Sequence, residues 1–431
     1  MSPMQGAVDG DTAISIRAYI EGRQRVLRDY LAAISGSAGR LVFSLAYFVV
    51  LANALSIAEF GLFATASAAG VMLSRLLAFG FLAPLYRIAT VKPRLLGAYT
   101  AGFLVMSALS LPVLGAASFG IYLLFFSSDM PLAPFLLVVA AEALLWRPAE
   151  AVIVVNNGLG RFGRGALLVI LGTAVRALAA VAFALFAPPG LLSWTLFYLA
   201  ANALSLMLAI AFFYPHRRLR FTPALYAKRL ADAVYVAGAE VLFYLQMELD
   251  KLLVLALGGP HLAGLYAIVM RLVDLTAIPV RTFSMLLVQK MMQAPDLLSR
   301  WSRRLGIEVA IFAVSTLALL ALAVILRIFP TILGSNVAEA APLVILALLV
   351  PGLRNLVEYQ AELLFARGQT AVRAVNLVLL AGAKAVLLAH VLGAYTAPGD
   401  VMIALNGVFA ALYLASLALT YTALAMPPKR V

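Results

Sequence analysis

The feature that most constrains this chain is a run of apolar residues about 20 long, recurring from residue 41 almost to the C-terminus. Each run is long enough to cross a hydrocarbon layer of about 30 Å. A backbone inside that layer must satisfy its own hydrogen bonds, which leaves helices or a closed barrel. A barrel would show alternating segments of about ten residues, and these runs do not alternate. Composition agrees: 64% of residues are hydrophobic and 12% are charged, against roughly 25% charged in a soluble domain. The sequence therefore predicts an all-α polytopic membrane protein.

Twelve helices are predicted, over 33–55, 60–83, 98–125, 132–156, 165–187, 191–214, 233–257, 262–288, 305–329, 340–365, 371–393 and 400–425. Turn chemistry separates several of them, as at Pro188-Pro189-Gly190, Gly258-Gly259-Pro260 and Pro398-Gly399. Alternate links are basic: Arg87/Lys92/Arg94, Arg161/Arg164, Arg217/Arg218/Arg220/Lys228/Arg229, Lys290/Arg300/Arg303/Arg304 and Arg367/Arg373. The links between them hold essentially no cations. The positive-inside rule then places both termini in the cytoplasm. It also explains the formal charge of +13 without nucleic acid.

The N-terminal segment 1–32 is polar and has no signal-peptide core. Its stretch Ile14 to Leu31 is expected to form an amphipathic interfacial helix carrying Arg17, Arg23, Arg25 and Arg28. Cys is absent, which excludes disulfides, thiol catalysis and thiolate metal sites. The three histidines are too far apart to suggest a metal site, and no GxxxxGK[ST] is present. Neither a metal nor ATP hydrolysis is expected.

The chain also repeats itself. EFGLFATA (59–66) matches LAGLYAIV (262–269) at an offset of 203. GRFGRGALLVILGTAVRALA (160–179) lies over GQTAVRAVNLVLLAGAKAVL (368–387) at an offset of 208, pairing Arg176 with Lys384 and Glu150 with Glu358. Two six-helix lobes follow, 33–214 and 233–425, joined by a basic loop at 215–232 and ending in a tail at 426–431. Parallel repeats of this kind build transporters with a midplane site between the lobes.

The pattern around LSIAEFGLFATA, its return in DKLLVLALGGPHLAGLYAIVMRLVDL, and the Gly/Arg-rich links before the fifth and eleventh helices resemble the polysaccharide-transport branch of the MOP superfamily. That branch includes the Wzx-type flippases of O-antigen and exopolysaccharide. The resemblance spans roughly residues 30 to 425 and rests on span number, spacing and a loose Gly/aromatic pattern. It implies two lobes around a central cavity and an oligosaccharide substrate on a polyprenyl (pyro)phosphate. It further implies residence in the bacterial inner membrane, with polysaccharide polymerase and assembly proteins as partners. With the buried acids, it implies coupling to an H+ or Na+ gradient. The multidrug branch shares the fold, so fold alone does not choose the cargo.

Charges inside the predicted helices are the candidate working groups. The cations are Arg40, Arg75, Arg147, Arg176, Lys251, Arg271, Arg281, Arg354 and Lys384; the acids are Glu142, Glu150, Glu240, Glu248, Asp250, Asp274, Glu308, Glu358 and Glu362. Each would cost about 2.5–3.5 kcal/mol at mid-helix facing lipid, so they are expected to face the interior. Four pairs stand at helical spacing: Arg147 with Glu150, Glu248 with Lys251, Arg271 with Asp274, and Arg354 with Glu358. Such pairs read most simply as structural. Asp250 is turned about 100° from Lys251 and points elsewhere.

Arg40, Arg75, Arg176, Arg281 and Lys384 have no acid at helical spacing. Arg75 and Arg281 lie near helix ends and can snorkel. Arg176 and Lys384 lie deep, at equivalent repeat positions, and are predicted to face one central anion, with Arg40, Arg147, Arg271 and Arg354 as further candidates. Arg suits bidentate phosphate recognition. The alternative for both is pairing with Glu142, Glu240 or Glu308. Asp250, Asp274, Glu142, Glu240 and Glu308 are the candidates for ion coupling. Trp146, Tyr198, Phe243, Tyr244, Tyr359 and Tyr413 are candidate sugar-stacking rings, though packing is the plainer role.

A multidrug extruder is the first rival reading; it would call for an acid-rich, cation-poor cavity. A polysaccharide polymerase or ligase would need a sizeable outward loop, and the longest here is about FPTILGSNVAEA. A scaffold would leave the buried charges unexplained.

Overall fold

The computed structural model describes residues 39–293 and 301–425. The expected interfacial helix, the C-terminal tail and the side chain of Arg281 lie outside the described residues. All regular structure among them is helical. We number the helices α1 (Gly39–Ala54), α2 (Ile57–Leu73), α3 (Leu82–Val91), α4 (Leu96–Phe125), α5 (Leu132–Ala140), α6 (Arg147–Gly158), α7 (Phe162–Phe186), α8 (Leu191–Leu208), α9 (Pro223–Gln293), α10 (Trp301–Ile328), α11 (Ser335–Leu346), α12 (Val350–Ala366), α13 (Thr370–Ala394) and α14 (Pro398–Ala425).

Eight helices among the described residues are long and apolar enough to cross a membrane, or nine if the bent pair α11–α12 is one span. The expected twelve exceeds this number by three segments. The described part of α1 is short. The α5–α6 rod carries Glu142, Arg147 and Glu150. Finally, α9 is two limbs that break at Gly259, where φ is 79°. The Tyr266 hydroxyl donates to Asp250; along one straight helix those residues would stand about 24 Å apart. The limbs therefore fold back on each other.

Local sequence explains the helix ends. At α2, Ser56 Oγ accepts from the Glu59 N–H (3.3 Å) and Glu59 Oε2 accepts from the Ser56 N–H (3.1 Å), a reciprocal capping box. Glu59 Oε1 also takes the Leu191 N–H at 3.2 Å, tying the start of α8 to α2. The second helix therefore begins at 57, not 60, and the predicted span 60–83 is not continuous. A 3-10 segment, Ser74–Gly80, breaks it, with Leu77 extended and Ala78 and Phe79 left-handed (φ 57° and 48°). The freed Ala78 N–H is taken by Ser110 Oγ at 2.9 Å. At Gly80 (φ 76°) a Cβ would lie 2.3 Å from the Ala233 carbonyl, so glycine lets the break lie on α9.

Between α5 and α6 the rod widens into a π-turn, Ala141–Trp146. Pro148 supplies the reason: it has no N–H for the preceding turn, and its ring would strike a carbonyl there. The first limb of α9 begins at Pro223 rather than 233, so the expected 215–232 loop is helical in its second half. The expected helix 340–365 is instead two helices bent by 72°. Pro351 stands in the first turn of α12, and Asn406 serves the break, accepting from Leu349 N–H (3.0 Å) and donating to the Leu346 carbonyl (2.6 Å).

One apolar core runs through α1, α2, α5, α8, the centre of α9 and α10–α14. Helices in lipid are held by close packing of small residues. The tightest crossing follows that rule: a Cβ on Gly61 of α2 would lie 2.4 Å from the Gly264 nitrogen of α9, and one on Gly264 would lie 2.0 Å from the Ile57 carbonyl oxygen.

Candidate functional site: charged clusters between the chain halves

Three groups of buried charge form, one in each chain half and one that bridges them. The first is built on Arg176 of α7. Its guanidinium donates through Nε (3.1 Å) and Nη2 (2.6 Å) to Asn202 Oδ1 of α8. It lies 4.2 Å over the Trp146 ring and 3.8 Å from Glu142. Glu142 in turn accepts from Ser67 (2.8 Å) and from Tyr198. The π-turn sends Glu142 and Trp146 to this side.

On the adjoining face of α1, Arg40, Ser44 and Tyr47 share one stripe by their spacing. Ser44 accepts a hydrogen bond from Arg271 of α9. The Tyr47 hydroxyl lies within electrostatic reach of Arg176, Glu142 and Arg271. One guanidinium from each chain half thus acts electrostatically on this phenol. This corrects the expected Arg271–Asp274 pair: Arg271 turns to α1, while Asp274 lies 3.4 Å from Arg354.

The second group is in the C-terminal half. Lys384 of α13 donates to the Gln246 carbonyl and lies 3.6 Å from Asp250, which also accepts from Tyr266. Beside it, Lys251 donates to Glu248 as the spacing predicted. Arg354 lies 3.9 Å from Glu358, further than from Asp274. Each half therefore holds a carboxylate that meets both a cation and a tyrosine: Glu142 with Arg176 and Tyr198, and Asp250 with Lys384 and Tyr266. The two equivalent cations are treated unequally. The Arg176 side chain keeps 18% of its exposure, whereas that of Lys384 keeps 2%, against Asp250 at 1%.

The third group bridges the halves. Arg147 bonds Glu150 (2.8 Å) within α6 and Glu240 (2.7 Å) on the first limb of α9. Arg75, on the 3-10 break, bonds Glu150 (3.1 Å), approaches Glu240 (3.9 Å) and covers the Tyr244 ring at 4.3 Å. Arg75 therefore does not snorkel outward; its side chain is 7% exposed. Glu240 is the residue that sequence reasoning misplaced, since nothing in α6 announces its partner on α9. Glu308 stands apart, accepting from Tyr421 (2.7 Å), Tyr413 (2.9 Å) and Gln360 (3.2 Å).

At the opposite end from the basic links, Asn53 donates to the Leu333 carbonyl (2.8 Å), and Asn336 donates to the carbonyls of Ala52 (2.7 Å) and Leu55 (2.8 Å). The halves thus touch at both ends.

No family model matches this sequence, and no curated protein matches it. Solved structures do. The fold is similar to that of the MATE multidrug transporter DinF-BH in complex with R6G (TM-score 0.58, 15% identity, 92% of this chain and 95% of that one). It is similar to the lipid II flippase MurJ in an inward closed conformation (TM-score 0.58, 13% identity, 92% and 88%). A MOP superfamily transporter from Pyrococcus furiosus, whose binding pocket of reverse polarity suggests a different function, also matches (TM-score 0.57, 14% identity, 91% and 92%). This chain has the MOP transporter fold. The likeness is one of helix arrangement.

Proposed function

We propose that this protein is a flippase. It moves a polyprenyl-(pyro)phosphate-linked oligosaccharide from the cytoplasmic to the periplasmic leaflet of the inner membrane by alternating access, with both termini cytoplasmic. The observation that supports this reading is that each chain half brings a guanidinium to the inner helices, Arg271 on Ser44 of α1 and Arg176 on Asn202 of α8 and the Trp146 ring. Arg271 has a hydroxyl partner there, and Arg176 an amide and a carboxylate at 3.8 Å. A phosphate offers both a charged, bidentate replacement. Trp146 beside Arg176 supplies an aromatic face for sugar, while the polyprenyl tail stays in lipid.

In this mechanism 33–214 and 233–425 are the moving bodies. A phosphate that engages Arg176 draws it from Glu142 and frees that carboxylate to exchange H+ or Na+. Asp250, held by Lys384 and Tyr266, is the matching exchanger in the other half. Opening toward the cytoplasm parts Arg147 and Arg75 from Glu240. Opening outward parts Asn53 from Asn336 and α2 from the second limb of α9.

An ion-coupled multidrug extruder is the competing reading, favoured by the two buried carboxylate–tyrosine contacts, Glu142–Tyr198 and Asp250–Tyr266. Depleting the protein in its own cell and extracting polyprenyl-linked glycans decides between them. Completed lipid-linked units trapped on the cytoplasmic leaflet, with surface polysaccharide lost, are the flippase outcome. Unchanged glycans with increased sensitivity to cationic drugs would replace it with the extruder.

A further inference from the structure

A cavity of about 480 Å³ lies in the N-terminal half, away from the three charged groups. That size falls in the range of about 300–1,000 Å³ usual for small-molecule sites. Its walls are apolar: Phe103 and Leu104 of α4, Val152 and Val155 of α6, and Ile210 beyond α8. Leu104 and Ile210 are 50% and 49% exposed, so the walls continue into the lipid-facing surface. At its basic end the lining changes to Thr100, Tyr214, His216, Arg217 and Arg218. A hydrocarbon slot that ends in cations at the membrane surface has the polarity of a phospholipid.

The basic mouth is held in place by the fold. The Arg218 carbonyl rests on Gly97 of α4, where a Cβ would lie 2.2 Å from it. The hydroxyl of buried Tyr226 sits between the carbonyls of Ala98 (3.1 Å) and Arg220 (3.0 Å) and accepts the Thr222 N–H (3.0 Å). Tyr214 donates to Thr100 at 2.6 Å across the cavity end. The link 215–222 is thus clamped to α4, while the side chains of His216, Arg217 and Arg218 remain exposed. No acid lines the cavity to neutralise them. Basic pockets between membrane helices recruit anionic lipid head groups from the adjoining leaflet.

We propose that this cavity is a binding site for an anionic phospholipid of the leaflet that meets the basic links. One acyl chain lies between α4, α6 and α8, and the phosphate lies on Arg217 and Arg218. The bound lipid rests on one face of α6, whose other face carries Arg147 and Glu150. The site stands independently of which cargo the protein carries.

The test is native mass spectrometry of the purified full chain after equilibration with phosphatidylglycerol and phosphatidylcholine at equal mole fraction. The wild type should retain phosphatidylglycerol in preference. Arg217→Gln with Arg218→Gln should lower that preference by about tenfold or more, the effect of losing two basic contacts. Ala151→Phe, which fills the slot, should lower retention of both lipids; Leu104→Trp at the lipid-facing wall replaces it if that variant does not fold. Equal retention of the two lipids by the wild type would overturn the proposal, as would an unchanged preference in the double variant. Displacement of phosphatidylglycerol by a small fraction of polyprenyl phosphate would also overturn it, by making the slot part of the substrate path.

Discussion

Arg147 Nη2 lies 2.7 Å from Glu240 Oε2, joining α6 of the N-terminal half to the first limb of α9. Arg147 is 2% exposed and Glu240 37%, so the bond has one buried side and one that water reaches. Two consequences follow from that asymmetry. Removing the arginine costs packing as well as charge, whereas removing the glutamate leaves Arg147 and Arg75 sharing Glu150 alone. Glu240→Gln is therefore expected to fold yet loosen the contact between the halves. Cysteines placed in α6 and in the first limb of α9 of this cysteine-free chain, beside these charged positions and not at them, should crosslink readily in the resting protein, and less so when transport substrate is supplied. Equal crosslinking in every condition would mean that α6 and α9 never part.

Lys384 and Asp250 should stabilise the resting protein as a pair, whatever ion Asp250 exchanges during transport. Lys384→Ala leaves Asp250 charged and buried, a loss on the order of 3–5 kcal/mol, readable as a large fall in detergent melting temperature. Lys384→Met combined with Asp250→Asn should restore most of it, since replacing both members removes the uncompensated charge.

Arg176→Ala should divide the other way. Asn202, Glu142 and the Trp146 ring remain, and Glu142 keeps two hydroxyl donors. The melting temperature should fall less than in Lys384→Ala, because the Arg176–Glu142 contact is longer and more open and Glu142 keeps its donors, while glycolipid translocation in vesicles falls at least tenfold; a bidentate contact to phosphate is worth about that much. Normal translocation by Arg176→Ala would remove this residue from the site.

The left-handed break at Ala78 gives a stability prediction. A non-glycine residue held there costs about 1–2 kcal/mol, so Ala78→Gly should be neutral or stabilising and Ala78→Val destabilising. By contrast, Gly264→Ala should destabilise by about 1–3 kcal/mol, because a methyl meets the Ile57 carbonyl backbone rather than a side chain that can move. Melting curves of the three variants check both.

Orientation is testable by labelling. Ser128→Cys, in a link without cations, should react with an impermeant maleimide on intact cells, and Arg161→Cys only after permeabilisation. The reverse pattern would invert the topology.

The sequence by itself determined the class of structure and much of its punctuation. Apolar runs the length of a bilayer leave the backbone no alternative to helix, and the turn chemistry at Gly259 marks a break; the Ser56/Glu59 cap and the Pro351 break became legible only in the structure. Helical spacing also anticipated Arg147–Glu150 and Glu248–Lys251, but the same spacing failed for Arg271 and Asp274, where a neighbouring helix offers another partner. The tertiary structure decided everything that depends on which helices are neighbours. It gave Arg147 its second acid on α9, turned Arg271 away from Asp274 to Ser44, and brought Asp274 to Arg354. It also separated two cations that the repeat made equivalent, leaving Arg176 partly open and enclosing Lys384 with Asp250. A long side chain in a membrane interior takes whatever partner relieves its desolvation. That partner lies across a helix interface, where one-dimensional spacing carries no information.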